Sequence, residues 1–332
     1  EHAPEQIRQL LSAVEQDFRG KVGAEEKALL EQPAALLVGG DISGIQDFIY
    51  TISSKGAAKT LRGRSFYLQL LTEAVLRFVL DELALPYTNV IYSGGGHFYI
   101  LTPLSAEEKL PAIQKEVTQK LLEHHGVNLY LAIGRSRVPV NGFRVGVFPE
   151  HWRDMHANLV RAKQQRYVEM GDELYEQVFV PPQQGGNPKS TCSVCGQDRH
   201  DTSEWDEERE EQARICSMCR SFVDELGKPL PEARFAALGL GAPQKTGLGS
   251  AFDVLKAFGM QVQFLEKANQ AVELPGSERV VIWALGDEPD SAYPVTALPG
   301  SHQMHYTVNR VPNMTFDELQ EQTEGGFERL GV

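Results

Sequence analysis

The sequence predicts an α+β protein made of a sheet domain, an insert held by four cysteines, and a small C-terminal α+β unit. Apolar runs and amphipathic segments follow one another from residue 34 in the order β-α-β-β-α-β. All four cysteines lie in one segment, as two C-x2-C pairs. The 332 residues, 42% hydrophobic and 23% charged, are typical of a globular chain of two or three domains. The net charge of −13 argues against a protein that coats DNA.

The first half of the sheet domain comes from three segments. Residues 1–33 have the charged pattern of surface helices that lead into the domain. "AALLVGGDI" (34–42) is an apolar run typical of a buried strand. A helix is expected after it, because Ser43 and Gln46 have the spacing of a capping box. Apolar residues at helical spacing then predict a longer helix over 65–83.

A glycine-rich hairpin opens the second half. "NVIYSGGGHFYILT" (89–102) reads as two strands joined by a tight turn. Residues 105–126 predict a helix capped by a serine and ended by a glycine, and 127–135 predict a last strand. This order is ferredoxin-like, with helices expected on one face of an antiparallel sheet, and we assign the domain to 34–150. Polymerase palms and nucleotide cyclases share the arrangement with many non-catalytic proteins, so it does not define a function.

The remainder is divided at residue 227. Residues 151–227 contain an amphipathic helix bearing Arg161, Lys163 and Arg166, a Pro/Gly-rich linker (181–190) and the cysteine segment. Residues 228–332 mix strand and helix patterns and are expected to form the small α+β unit. The chain begins with Glu1 rather than Met, so we expect it to be a piece of a longer protein.

The cysteines carry the strongest motif in the sequence. Two C-x2-C turns separated by twenty residues can direct four thiolates at one zinc ion. The alternatives are two disulfides or four free thiols. Four protein ligands leave no open position, so such a site would be structural. The expected ligands are Cys192, Cys195, Cys216 and Cys219.

Two glycine-rich turns are expected to meet at one edge of the sheet. "GGDISG" (39–44) ends the first strand and "SGGGH" (93–97) forms the hairpin tip. Glycine lets a ligand approach backbone N–H groups, and a helix N-terminus beside it suits a phosphate. The alternative is two tight turns and a capped helix without a ligand. Asp41 is the one carboxylate at this edge, whereas two-metal phosphoryl transfer needs several, so catalysis by this edge is not expected.

A basic stretch lies between the first strand and the hairpin. No acid occurs between Asp47 and Glu73. The cations there suit phosphate or RNA contact, or they solvate a helix surface. They are Lys55, Lys59, Arg62 and Arg64.

Several long motifs in order resemble one known family. "GDISGIQDFIY", "KGAAKTLRGRSFYLQLL", "IYSGGGHFYIL" and the two C-x2-C pairs resemble the large polymerase/cyclase-like subunit of type III-A CRISPR (Csm) effector complexes, over roughly residues 34–222. The resemblance implies a first palm with a GGDEF/cyclase-like fold that does not catalyse, followed by the zinc domain. It further implies a cytoplasmic antiviral complex with other effector subunits, guide RNA and target RNA, and no membrane.

The resemblance also implies which activities the full-length protein has. A second palm bearing G-G-D-D makes cyclic oligoadenylate from ATP and Mg²⁺, and an HD domain cuts single-stranded DNA. This chain contains neither motif in full, and "GGFERLGV" (325–332) resembles the entry to the second palm. By motif position, the ATP contacts of the first palm fall on Asp41, Ser43, Gly44, Gly94, Gly95, Gly96 and His97.

Two other functions compete with this interpretation. One is a zinc-ribbon module that binds nucleic acid without ATP. ATP binding that depends on the glycine turns would favour the CRISPR subunit over this module. The other is a diguanylate-cyclase-like enzyme, which the absence of acids at the hairpin tip excludes. The fragment alone is therefore expected to be inactive.

Overall fold

The computed structural model describes residues 4–51, 57–175, 191–197, 201–205, 213–247, 249–267, 270–285 and 302–306. The chain divides into two compact units. Unit 1 comprises Glu1–Ile45 and Val75–Val180, and unit 2 comprises Gln46–Ala74 and Pro181–Val332. The mixed helices and antiparallel sheets confirm the α+β class. No described helix combines the length and apolarity needed to cross a membrane.

Unit 1 is built on a four-stranded sheet. Its strands lie in the order β2-β3-β1-β4, and every neighbouring pair is antiparallel. The longer predicted helix is found as α4 (Ala57–Glu82), whose residues are assigned partly to each unit. Over residues 4–164, which include the unit 2 stretch 46–74, the elements in chain order are α1 (Pro4–Phe18), α2 (Ala24–Leu30), β1 (Pro33–Ser43), α3 (Ile45–Tyr50), α4 (Ala57–Glu82), β2 (Val90–Gly94), β3 (His97–Thr102), α5 (Ala106–His125), β4 (Tyr130–Pro139) and α6 (Phe148–Gln164).

The central strand β1 is buried on both faces of the sheet. Alternate side chains of a strand point to opposite faces, so Leu36 and Leu37 face opposite ways. Both are 0% exposed. On the Leu37 face, α6 contributes Met155 and Leu159 to the same core cluster. The helix predicted to accompany the cysteine segment therefore packs on this sheet, and both faces of β1 are covered.

The hairpin between β2 and β3 is tighter than the five-residue turn that the sequence predicts. Gly94 pairs with His97 across the strands, which leaves Gly95 and Gly96 as the two turn residues. Their φ angles are +60° and +83°. Two-residue turns of type I′ need positive φ at both positions, and this accounts for the glycines.

Two predicted helix caps are wrong in detail. β1 runs through Ser43, and the Ser43 Oγ is buried without a hydrogen-bond partner among the described residues, so no capping box forms with Gln46. Ser105 stands at the N-cap of α5, but its side chain makes no capping hydrogen bond. The C-terminal end is as predicted, because Gly126 has φ +59° there.

Unit 2 contains a second four-stranded sheet. Its order is β10-β9-β7-β8, with β9 and β10 parallel and the other pairs antiparallel. Phe235, Leu265 and Ile282 lie in its core. The elements are β5 (Thr202–Glu204), β6 (Arg214–Cys216), α7 (Ser217–Ser221), a π-helix (Phe222–Gly227), β7 (Phe235–Leu240), α8 (Ala251–Ala257), β8 (Met260–Leu265), β9 (Arg279–Leu285) and β10 (His302–Tyr306). The linker 181–190 and the segment 325–332 lie outside the described residues.

Candidate nucleotide site and metal centre

Asp41 and His97 face each other at the glycine-rich edge of the unit 1 sheet. They are register partners of β1 and β3. His97 Nδ1 lies 3.0 Å from Asp41 Oδ2. The ammonium of Lys163, near the C-terminal end of α6, bonds to the same Oδ2. The edge therefore carries a carboxylate held by an imidazole and a lysine.

The environment of Asp41 keeps it ionised. The residue is 5% exposed, and burial alone would raise the pKa of its carboxyl group. The hydrogen bonds and positive charges of His97 and Lys163 outweigh burial and hold that pKa below its ordinary value. Since a protein cation already neutralises Asp41, this lone carboxylate is poorly suited to holding a pair of metal ions.

Sequence reasoning did not assign Lys163 to the site. The signal was available in the spacing of α6, where Met155 and Leu159 mark the apolar face at intervals of four residues. Lys163 is the next position on that face. A charged residue on a buried stripe indicates a partner of opposite charge, which here is Asp41.

The glycines of this edge have different surroundings. A Cβ on Gly95 would have no atom within 4 Å, so this turn position faces open space. A Cβ on Gly96 would lie 2.0 Å from Ile45 Cδ1, and the Gly96 carbonyl accepts a 2.9 Å hydrogen bond from Ile42 N–H. A Cβ on Gly44 would lie 1.9 Å from the Asn128 carbonyl oxygen. Gly44 and Gly96 therefore have packing roles of their own, whereas Gly95 is open to a ligand.

Of the four predicted phosphate-binding cations, two of the described ones are engaged with protein groups. Lys55 lies outside the described residues, and Lys59 is exposed. Arg62 Nη1 donates to the Gly227 carbonyl at 3.0 Å. Arg64 is 2% exposed, and its guanidinium donates to the Phe48 carbonyl and to Cys219 Sγ. Arg64 is therefore buried against protein groups and is not presented to a phosphate in solution.

The four cysteines of unit 2 converge as the sequence predicts. Their Sγ atoms all lie within 4.8 Å of one another, and none forms a disulfide. Tetrahedral zinc with Zn–S bonds of about 2.3 Å needs sulfur atoms about 3.8 Å apart. Cys195 and Cys216 have their Sγ atoms 3.9 Å apart. The cluster therefore has the dimensions of a metal site.

Backbone N–H groups support thiolate character in this cluster. Cys216 N–H lies 3.3 Å from Cys192 Sγ, and Cys219 N–H lies 3.4 Å from Cys216 Sγ. Hydrogen bonds from the other three cysteines lower the pKa of Cys192, whereas contact with the other three sulfur atoms raises the pKa of Cys219. Four thiols this close do not all ionise unless a cation is bound, so the donor set fits a divalent metal ion.

A family model matches the sheet unit. Residues 34–179 match Csm1 subunit domain B. A curated Cas10/Csm1 (subtype III-A) single-strand-specific deoxyribonuclease of Methanocaldococcus jannaschii is 34% identical over 200 residues, which is 56% of this chain and 24% of that protein. The Mycobacterium tuberculosis relative is 31% identical over 281 residues, covering 79% of this chain and 33% of that protein. The chain therefore spans about a quarter to a third of these relatives.

Solved structures show the same fold. A Csm1–Csm4 cassette in complex with one ATP matches with a TM-score of 0.55 at 24% identity, over 87% of this chain and 32% of that one. A cassette in complex with cA3 gives a TM-score of 0.55 at 23% identity and the same coverage. Residues 34–179 thus correspond to domain B of Csm1, and the four-cysteine segment follows them in the chain. The predicted resemblance is confirmed, because the family model, the relatives and the solved structures together support a Cas10/Csm1 fragment.

Proposed function

We propose that this chain supplies the non-catalytic half of an ATP site in a type III-A CRISPR large subunit. The observation that carries the proposal is the Asp41–His97–Lys163 cluster beside the open Gly95 turn. In this proposal, unit 1 is a ferredoxin-like first palm that binds one face of the nucleotide. The catalytic acids come from a second palm, which makes cyclic oligoadenylate from ATP and Mg²⁺ when target RNA is bound.

The cluster suits binding of a phosphate better than transfer of one. Lys163 is 34% exposed at its side chain, and an ammonium has three donors, of which Asp41 takes one. The side chain of His97 is 43% exposed and lies on the same face of the sheet. Both groups can meet an anion at the turn, while Asp41 fixes their positions. Among the described residues no second carboxylate is grouped with Asp41 to hold Mg²⁺.

The four cysteines are proposed to hold a structural zinc in a ribbon-like insert. In the described part of the insert the strands β5 and β6 are three residues long each, and three of the four cysteines are buried. Zinc would supply folding energy to a segment with little core of its own. The partners are those of the family: Csm4 and the other effector subunits, guide RNA and target RNA. The single-strand DNase activity belongs to an HD domain of the whole subunit.

The nucleotide proposal is tested by removing the charge of Lys163. Lys163→Met should weaken ATP binding about 10-fold or more, because a charge-assisted hydrogen bond contributes roughly 1.5–3 kcal/mol. Lys115→Met is the matched control, since Lys115 forms a 3.0 Å ion pair with Glu173 on a different surface of unit 1. Isothermal titration calorimetry of both variants decides the matter. Equal ATP affinities for wild type, Lys163→Met and Lys115→Met would contradict the proposal.

A further inference from the structure

Arg64 is a buried cation that lies beside the cysteine cluster. It is 2% exposed, and arginine stays protonated in proteins. Within the described residues it has no carboxylate partner. Burying a guanidinium without a counter-charge is costly, so a negative charge is expected at its side.

The guanidinium of Arg64 contacts one sulfur atom of the cysteine cluster. Nη2 lies 3.4 Å from Cys219 Sγ, and Nη1 lies 2.5 Å from the Phe48 carbonyl oxygen. The guanidinium also lies over two aromatic rings, 4.9 Å from the centroid of Phe48 and 5.1 Å from that of Phe222. Rings and carbonyl hold the group in one orientation, with an N–H directed at the cluster.

We propose that Arg64 is a positioning residue of the metal centre, which it stabilises by a charged hydrogen bond to Cys219. A zinc ion with four thiolates carries excess negative charge, and Arg64 compensates part of it. Groups that hydrogen-bond to metal ligands commonly account for 10–100-fold in metal affinity. The inference rests on the proposed metal centre and goes beyond it, because it makes α4 part of the site.

The N-terminal part of α4 and the segment that follows the cysteines pack closely around this bond, both within unit 2. A Cβ on Gly63 would lie 1.8 Å from the Phe222 carbonyl oxygen, and a Cβ on Gly227 would lie 2.1 Å from the Lys59 carbonyl oxygen. The two backbones therefore meet at glycines. Arg62 adds its hydrogen bond to Gly227 from the same helix. The stretch 62–64, which the sequence suggested for phosphate, thus docks the metal segment onto α4.

Arg62 provides a matched control, because it also bonds across this contact but has no described contact with a thiol. Metal-free, reduced full chain is titrated with Co²⁺, and the thiolate-to-metal charge-transfer band and the dissociation constant are recorded. Arg64→Met is expected to bind Co²⁺ about 10–100-fold more weakly. Its charge-transfer band should shift to lower energy, because the sulfur loses a hydrogen bond. Arg62→Met should match wild type in both.

The outcomes separate this inference from the proposed metal centre. If wild type binds no Co²⁺ and contains no zinc, the metal centre itself is wrong. If wild type binds but Arg64→Met and Arg62→Met give the same band and affinity, Arg64 is a packing residue and the inference fails. Should Arg64→Met not fold, Arg64→Lys and Arg62→Lys are compared in the same way. Arg64→Lys keeps the charge and is expected to lie between wild type and the methionine variant.

Discussion

Replacing Lys163 with methionine is expected to destabilise the unit 1 sheet by about 2 kcal/mol. Breaking a fully buried ion pair costs roughly 3–5 kcal/mol, and breaking an exposed pair costs about 0–1 kcal/mol. The pair here lies between these limits, because the Asp41 side chain is 8% exposed and that of Lys163 is 34% exposed. His97 still donates to Asp41 in the variant, which favours a value in the middle of the range.

The pH dependence follows from the direction of the Asp41 shift. The pKa of Asp41 lies below its ordinary value of 3.8, so the folded state favours the carboxylate. This contribution is fully present above the ordinary pKa and is lost as pH falls through the lowered one. Lys163→Met should therefore lose less stability between pH 5 and pH 2.5 than wild type does.

Hydrogen exchange of the β1 and β3 peptides in urea gives the local free energy of opening. Lys115→Met is again the control, since both side chains of its pair are exposed, by 37% and 52%, and a smaller loss of stability than that of Lys163→Met is expected. A further variant, Asp41→Asn with Lys163→Met, should recover part of the loss, because no uncompensated charge remains buried. If Lys163→Met costs no more than Lys115→Met, the electrostatic reasoning is refuted.

Two further predictions concern backbone and metal. Gly96→Ala should destabilise unit 1 by roughly 2 kcal/mol or more, because φ is +83° and the new Cβ would meet Ile45. Gly95→Asn, at φ +60° in open space, should change stability by less than about 0.5 kcal/mol, and urea unfolding monitored by circular dichroism compares the two. Cys192→Ser should remove the stoichiometric zinc measured by inductively coupled plasma mass spectrometry and speed proteolysis near the cysteines, whereas zinc retained at one ion per chain would contradict the four-thiolate site.

The cysteine cluster and the order of helices and strands along the chain could be predicted from sequence because each depends on local spacing. Two C-x2-C turns limit where four thiols can point, and alternating apolar patterns mark strands and helices. Glycine-rich stretches indicated a ligand site less reliably than the cysteine spacing indicated a metal site. A Cβ on Gly40 would lie 2.1 Å from the Phe98 ring, and a Cβ on Gly39 would lie 2.4 Å from Met155 Sδ. These two glycines admit neighbouring side chains, which a glycine-rich motif alone does not distinguish from ligand binding.

Long-range partners were beyond the sequence for a physical reason. Lys163 is 122 residues from Asp41 in the chain, and only the packing of α6 on β1 joins them. Arg64 and Cys219 are separated by 155 residues. The sequence around a cation in an acid-free stretch is the same whether its side chain contacts solvent, phosphate or a thiolate. The tertiary fold makes that choice, so the surface role suggested for Arg64 did not follow from its sequence neighbours.

We propose above all that this chain binds ATP and does not convert it to oligoadenylate. The purified chain is incubated with ATP and Mg²⁺, alone and together with the second palm of its parent subunit, and products are separated by ion-exchange chromatography. We expect bound ATP and no oligoadenylate from the chain alone, with product only when the second palm is present and less of it with Lys163→Met. Oligoadenylate made by the chain alone would contradict the account.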